Sequence, residues 1–415
     1  MMGPIMEVST ESTGARWLSI VGIGQDGADG LSPLAKNLVS SAELVVGGAR
    51  HLELAARLIR GERLPWPSPL HNAFPAILAR RGRPVAVLGS GDPFNYGVGK
   101  QIAALVSADE LICVPQPSSF SLAASRLGWA LQDAATVSLH GRAIEGLIRY
   151  LQPGARILAL SWDGSTPAKA ARLLTKRGFG ESSITVLEEL GGPKERVRRH
   201  RAARFDLAGV SALNVIGIEV AAGPGSKIIG LSPGLPDEIF ESDGQLTKRE
   251  VRAVTLAALA PRHGELLWDI GLGSGAIAIE WLLCHPSLGA IGIEEREDRA
   301  TRAMRNALAL GAPDLRVITG RAPEALAGLA PPDAVFIGGG LTDDGVFDAA
   351  WAALRPGGRI VANAVTLESE ARLKEAFDRH GGELVRIEIS KAGKIGGFHG
   401  WRAAMPVTQW RGVKP

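Results

Sequence analysis

Trp268-Asp269-Ile270-Gly271-Leu272-Gly273-Ser274-Gly275-Ala276-Ile277-Ala278-Ile279-Glu280 reads as the end of a strand, a glycine turn and the start of a helix. Gly271, Gly273 and Gly275 let the backbone turn tightly and approach a ligand closely. A helix opening at Ala276 then points its first amides into the same crevice. The next apolar run ends in Glu294, 23 positions after Gly271. There a carboxylate can accept hydrogen bonds from ribose hydroxyls. By spelling, Gly271, Gly273 and Ala276 also fit the dinucleotide fingerprint G-x-G-x-x-A, so the loop alone leaves its nucleotide open.

Outward from this loop, short Val/Ile/Leu runs alternate with helix-period segments. Strands are expected at 17–21, 42–46, 85–88, 110–114, 156–160, 183–188, 213–220, 266–270, 290–294, 315–319, 334–337 and 359–363. Helices fall between most of them, which predicts an α/β protein with largely parallel sheets. Val220-Ala221-Ala222-Gly223-Pro224-Gly225-Ser226 follows a strand and precedes 228–246, where regular periodicity is weak. The expected organisation is a disordered lead-in at 1–16, a first domain at 17–222, a linker and entry segment at 223–246, and a second domain at 247–415.

The chain of 415 residues is long enough for two or three cores. Apolar content of 46% and charged content of 21% are ordinary for a globular protein. A net charge of +3 gives no global reason to expect nucleic acid or an anionic membrane as partner. No stretch approaches the roughly eighteen apolar residues of a spanning helix. Cys113 and Cys284 lie in apolar stretches without CxxC spacing and read as reduced core residues of a cytoplasmic protein, with no metal site.

A second glycine loop, Val21-Gly22-Ile23-Gly24-Gln25-Asp26-Gly27, opens the first half. It spells G-x-G-x-x-G, yet the first good helix start is Ser32-Pro33, beyond the third glycine. The following strand runs into Gly47-Gly48-Ala49-Arg50 without a ribose-binding acid. Simple NAD binding is disfavoured.

Several features of the second half resemble class I methyltransferases that use S-adenosylmethionine (SAM). The third glycine falls at Gly275, giving GxGxG, and Asp269 stands two residues before Gly271. Gly320-Arg321-Ala322-Pro323-Glu324-Ala325-Leu326 follows a strand where that fold holds adenine. Leu354-Arg355-Pro356-Gly357-Gly358-Arg359 resembles its late turn. After the fourth strand, Ile337-Gly338-Gly339-Gly340 lacks the Asn/Asp-Pro-Pro-aromatic run of base-amino methyltransferases and suits a large flat substrate.

In the first half, Gly22-Ile23-Gly24 is followed by Gly89-Ser90-Gly91-Asp92-Pro93, then Pro115-Gln116-Pro117-Ser118-Ser119-Phe120, then Leu139-His140-Gly141-Arg142. Four such elements in order resemble the tetrapyrrole (corrin/porphyrin) methylase family, although Gln25 stands where a proline is usual. Thr247-Lys248-Arg249-Glu250-Val251-Arg252, before the GxGxG loop, resembles the entry to the class I domain of corrin biosynthesis.

The resemblance implies a tetrapyrrole methylase fold of two α/β subdomains followed by a class I Rossmann-like domain. It implies one SAM per domain and the corrin precursor precorrin-6B (6Y) as substrate. The first half would methylate C5; the second would methylate C15 and remove carbon dioxide from the C12 acetate. Fusion of the halves favours the metal-free substrate over its cobalt form. Implied SAM contacts are Gly22, Gly24, Gly89, Ser90, Gly91, Asp92, Pro93, Ser118 and Ser119 in the first domain. In the second they are Thr247, Asp269, Gly271, Leu272, Gly273, Ser274, Gly275, Glu294 and Ala322.

Substrate carboxylates call for cations. Lys248, Arg249 and Arg252 are the preferred candidates, and the basic run 194–204 reads equally as a solvated face. His140 and His399 are candidates for proton transfer, each also readable as a structural or surface imidazole. Residues 391–401 could close over the macrocycle or form an ordinary hairpin. A homo-oligomer is expected from related domains. An RNA methyltransferase is the rival, opposed by the balanced charge and the bare Gly338–Gly340 turn; a non-catalytic SAM-binding scaffold is the other.

Overall fold

Among the described residues the strands form three large sheets, built mainly from the apolar runs, and one two-stranded hairpin. The computed structural model describes residues 16–415; the lead-in expected at 1–16 lies, apart from Arg16, outside the described residues. The chain divides into two units. One holds the chain up to Ile144 together with Pro153–Ser226, and the other holds Glu145–Gln152 and Lys227–Pro415.

The first unit contains two five-stranded sheets. The first sheet is entirely parallel, in the order Glu62–Pro65, Leu44–Gly47, Val85–Ser90, Leu18–Ile23, Leu111–Val114. Leu18–Ile23 is buried along its whole length, as a central parallel strand covered on both faces must be. The helix expected at Ser32-Pro33 is Pro33–Ser41, capped by Ser32 Oγ accepting from the Ala35 amide at 3.2 Å. The second sheet runs Ala134–Ser138, Arg156–Leu160, Asn214–Glu219, Ser183–Glu188, Arg196–Arg201, parallel only in its first pair.

That last strand is the basic run. It forms the sheet edge, where charged side chains also discourage pairing with another chain. Arg196 and Arg198 pair with buried Glu188 at 2.7 and 2.8 Å, Arg199 with Glu219, and Arg201 with Glu181. The arginines therefore hold the edge of the sheet together.

The second unit is built on a seven-stranded sheet in the order Arg316–Thr319, Gly289–Glu294, Leu266–Ile270, Ala334–Ile337, Arg359–Ala364, Val407–Val413, Glu383–Ile387. Numbered along the chain, this is 3-2-1-4-5-7-6. The first five strands are parallel, and Val407–Val413 runs antiparallel to both its neighbours, Arg359–Ala364 and Glu383–Ile387. The inserted antiparallel strand separates this sheet from the plain dinucleotide order 3-2-1-4-5-6. Trp268, Trp281 and Trp410 are fully buried in this unit. Trp281 and Trp410 satisfy their indole N–H groups on the Gly289 and Gly381 carbonyls.

Several elements lacked a readable apolar pattern and were absent from the sequence expectation. They include Glu62–Pro65, Arg196–Arg201, Glu383–Ile387 and Val407–Val413; the hairpin offered as one reading of 391–401 is present. Ser390–Ile395 and Phe398–Ala403 pair as an exposed two-stranded hairpin. Cys284 corrects one expectation: it is exposed at the end of helix Ala276–Cys284, with its thiol on the Glu280 carbonyl at 3.2 Å. Both cysteines are free. Among the described residues no helix is long and apolar enough to cross a membrane.

Candidate active sites

In the second unit the strand order reverses between the parallel strands Leu266–Ile270 and Ala334–Ile337, which opens a crevice at the strands' carboxyl ends. A cavity of about 670 Å³ sits there, lined by Thr247, Asp269, Gly271, Leu272, Gly273, Ser274, Glu294 and Ala322 among others. Gly271, Gly273 and Gly275 all have positive φ, of 76°, 57° and 79°. A side chain at Gly271 would place its Cβ 2.6 Å from the Gly339 amide nitrogen. The bare Gly338-Gly339-Gly340 turn is thus the other half of a backbone-to-backbone contact. Gly275 stands apart from the cavity lining and shapes the turn into helix Ala276–Cys284.

Two carboxylates organise the loop. Glu294 accepts from the Gly273 and Arg296 amides at 2.8 and 3.1 Å. Asp269 is buried; its Oδ2 accepts from the Ala278 amide at 3.0 Å, while Oδ1 has no partner. Burial pushes the Asp269 carboxyl up to about 8, with Glu294 adding to the rise and the Ala278 N–H opposing it. The orphaned oxygen and the three left-handed glycines fit a cationic nucleoside ligand such as SAM.

Around this loop, Gln245, Leu246 and Thr247 form one wall. The wall is held from behind by Arg252, and here the structure corrects the sequence. Arg252 is fully buried, with its guanidinium paired to Glu280 at 2.5 Å and Asp237 at 3.1 Å. It also donates to the Thr247 and Leu235 carbonyls and lies 4.8 Å from the Phe240 ring centroid. A cation so enclosed cannot meet substrate; it fixes the entry segment. Lys248 and Arg249 are exposed and lie outside the cavity lining, where the cations are Arg296, Arg299 and Arg321. The sequence missed Arg296 and Arg299 because they follow a strand end without a recognisable motif, and Arg321 because its motif, Gly320–Leu326, was read for adenine rather than for a cation. His399 lies on the exposed hairpin and is not among the residues lining the cavity.

The first unit has its own cleft of about 590 Å³, lined by residues of both its sheets. Gly24, Gly89, Ser90, Gly91, Asp92, Ser118, Ser119 and His140 line it. Gly22 and Pro93 stand behind. A Cβ at Gly22 would fall 1.9 Å from the Gly91 carbonyl oxygen, and the Gln116 amide donates to that oxygen at 3.0 Å. Gly22 therefore lets the first element of the motif set touch the second and third. Asp92 is used locally, its Oδ1 accepting from the Phe94 amide at 2.9 Å. Ser118 caps helix Ser119–Leu127, accepting from the Ser121 amide at 3.1 Å. His140 stands 6.2 Å from the Trp162 ring, centroid to centroid. Arg50, His51, Tyr96 and Arg142, absent from the sequence candidates, also line this cleft.

Comparison with known proteins follows this division. A model of the tetrapyrrole (corrin/porphyrin) methylases matches residues 18–206, and one of the precorrin methyltransferase domain matches 238–414. A precorrin-6Y C(5,15)-methyltransferase (decarboxylating) from Sinorhizobium sp is 57% identical over 398 residues, 96% of each chain. The chain belongs to the precorrin-6Y C(5,15)-methyltransferase family. A family member from Mycobacterium tuberculosis is 41% identical over 402 residues, 95% of this chain and 99% of that one. The solved C-terminal domain of the Rhodobacter capsulatus precorrin-6Y C5,15-methyltransferase is 50% identical, covering 45% of this chain and all of that one, with a TM-score of 0.43.

Proposed function

We propose that this chain methylates precorrin-6B (6Y) at C5 and C15 and decarboxylates its C12 acetate, giving precorrin-8X in cobalamin biosynthesis. The observation that carries the reading is a pair of unlike glycine-loop clefts, each formed inside its own unit of a chain belonging to this family. The first unit acts at C5; the second acts at C15 and on the acetate.

SAM, one per domain, supplies an electrophilic methyl group. In the first unit the residues offered to it are Gly24, Gly89, Ser90, Gly91, Ser118 and Ser119; in the second, Thr247, Asp269, Gly271, Leu272, Gly273, Ser274, Glu294 and Ala322. Positioning accounts for much of such a transfer, roughly 7–11 kcal/mol of the barrier when the reacting atoms are aligned. Rigid glycine loops pinned by Glu294 and by the Gly22–Gly91 contact serve that end.

Each methylation replaces a C–H bond by C–CH3 and releases one proton. The decarboxylation replaces a carboxylate by hydrogen and takes one up, while the conjugated macrocycle holds the electron pair that carbon dioxide leaves behind. His140, at the wall of the first cleft, is the proton acceptor we assign there. The protein is read as a cytoplasmic homo-oligomer, its two free cysteines suiting a reducing compartment. Sedimentation velocity checks the oligomer.

Incubation of the purified chain with the reduced substrate and SAM, followed by mass spectrometry, tests the assignment. Two methyl additions and one loss of carbon dioxide are expected. A single methyl addition with no loss of carbon dioxide would refute a bifunctional enzyme.

A further inference from the structure

We infer that Arg50 is the carboxylate receptor of the first cleft. The strand Leu44–Gly47 ends at this cleft, and the short helix Ala49–Leu54 that follows carries Arg50 and His51 onto its wall. The Arg50 guanidinium donates to Gln25 Oε1 at 2.8 Å, to Ser90 Oγ at 2.9 Å and to His51 Nε2 at 3.0 Å. All three partners are neutral. Among the described residues Arg50 makes no ion pair, whereas the arginines of the neighbouring sheet edge are paired with carboxylates.

The imidazole is part of the device. His51 Nε2 lies 2.7 Å from Ser90 Oγ as well as 3.0 Å from Arg50. An atom receiving the arginine N–H is an acceptor, so the ring proton sits on Nδ1. Burial, then the Arg50 charge, pushes His51 down to about 4. The ring is therefore neutral at physiological pH and orients Arg50 and Ser90 without adding charge. An arginine keeps its proton even where the cleft lowers its pKa, as it does here.

The result is a fixed, accessible guanidinium with a full positive charge and no anion. Glu189 lines the same cleft and favours the charge from a distance, but its carboxylate accepts the Ser211 hydroxyl at 3.0 Å. Arg142, the other arginine on the wall, lies 5.8 Å from the Tyr96 ring centroid and also makes no ion pair among the described residues. Unlike Arg50, it is not held by a set of side-chain hydrogen bonds among the described residues. A guanidinium oriented in advance loses little freedom when a carboxylate docks on it, and forked pairing fixes the ligand's direction as well as its affinity.

The inference rests on the tetrapyrrole reading of this cleft, in which both the macrocycle's acid side chains and the methionine end of SAM offer a carboxylate. The test compares wild type with Arg50→Gln and Arg50→Lys in the full chain. It measures KM and kcat for C5 methylation of the corrin precursor, and Kd for SAM at the first cleft by calorimetry. The thermal unfolding midpoint of the first unit serves as the control for folding.

We expect Arg50→Gln to raise one constant by about 10- to 100-fold, the range of a lost charge-assisted hydrogen bond. We expect kcat to change by less than about threefold and Arg50→Lys to recover part of the loss. A rise in macrocycle KM assigns the carboxylate to the substrate; a rise in SAM Kd assigns it to the cofactor. If neither constant moves beyond about twofold while wild type methylates C5 normally, Arg50 is not a receptor. If wild type itself shows no C5 methylation, the tetrapyrrole reading has failed instead, so the two failures are distinguishable.

Discussion

Asp269 combines complete burial, one backbone hydrogen bond and one bare oxygen at the floor of the second cleft. Burial pushes its carboxyl up to about 8, well above an unfolded aspartate at about 4. The sign of the linkage follows from that. Between about pH 4 and pH 8 the folded chain holds a proton that the unfolded chain has lost, so this residue costs stability progressively as pH rises through the interval. Asp269→Asn removes the cost. The stability difference between variant and wild type, from urea unfolding, should be small at pH 4, grow to pH 8 and then level off. A difference independent of pH would contradict the assignment. SAM brings positive charge, which favours the ionised carboxylate. Its binding to the second unit at pH 7 should therefore release a proton, seen as a buffer-dependent enthalpy in calorimetry and absent in Asp269→Asn. Glu294 and Asp269 were legible in the sequence because each stands at a fixed place relative to a strand end and a glycine. Arg252 was misread for the opposite reason: charge in a sequence does not say whether a side chain points to solvent or to Glu280.

The entry segment 234–247 shows what an element without periodicity needs in order to be fixed. Glu280, buried on helix Ala276–Cys284, accepts from the Gly234 and Leu235 amides at 2.6 and 3.0 Å. Arg252, on helix Arg249–Leu259, holds Glu280, Asp237 and two carbonyls of the same segment. Removing one member of a buried pair strands the other charge, a loss of about 3–5 kcal/mol. Arg252→Met should lower the unfolding free energy of the second unit by that order and raise its Kd for SAM, because Thr247 loses its support. The double variant Arg252→Met, Glu280→Gln should regain part of the stability. An unchanged denaturation midpoint in the single variant would sink the role given to Arg252. The seam between Gly271 and Gly338–Gly340 works through backbone shape instead. At Gly271 any side chain meets both a left-handed φ of 76° and the Gly339 backbone.

For the whole molecule, separation of the clefts into two units predicts separable activities. Gly273→Arg or Asp269→Ala should abolish C15 methylation and decarboxylation while C5 methylation continues on a suitable substrate. Loss of both activities in a variant that keeps its fold would show that the sites do not act independently. By itself the sequence determined the α/β class, the order of the two domain types, both glycine loops and most of the central strands, because these depend on local apolar runs and on spacings within one strand-turn-helix. It did not disclose the edge strands Glu62–Pro65 and Arg196–Arg201, whose exposed, polar residues leave no period to read, and it left the C-terminal hairpin as one of two readings. Nor did it show that residues 145–152 group with the second unit, where Arg149 donates to the Leu282 and Leu283 carbonyls at 2.8 and 3.0 Å. Which arginines face a cleft was decided by tertiary structure alone. Arg50 and Arg252 are the same residue type, each in the first turn of a helix. One stands on a cleft wall among neutral partners; the other is enclosed with Glu280 and Asp237, since packing over long sequence separations sets what each guanidinium can reach.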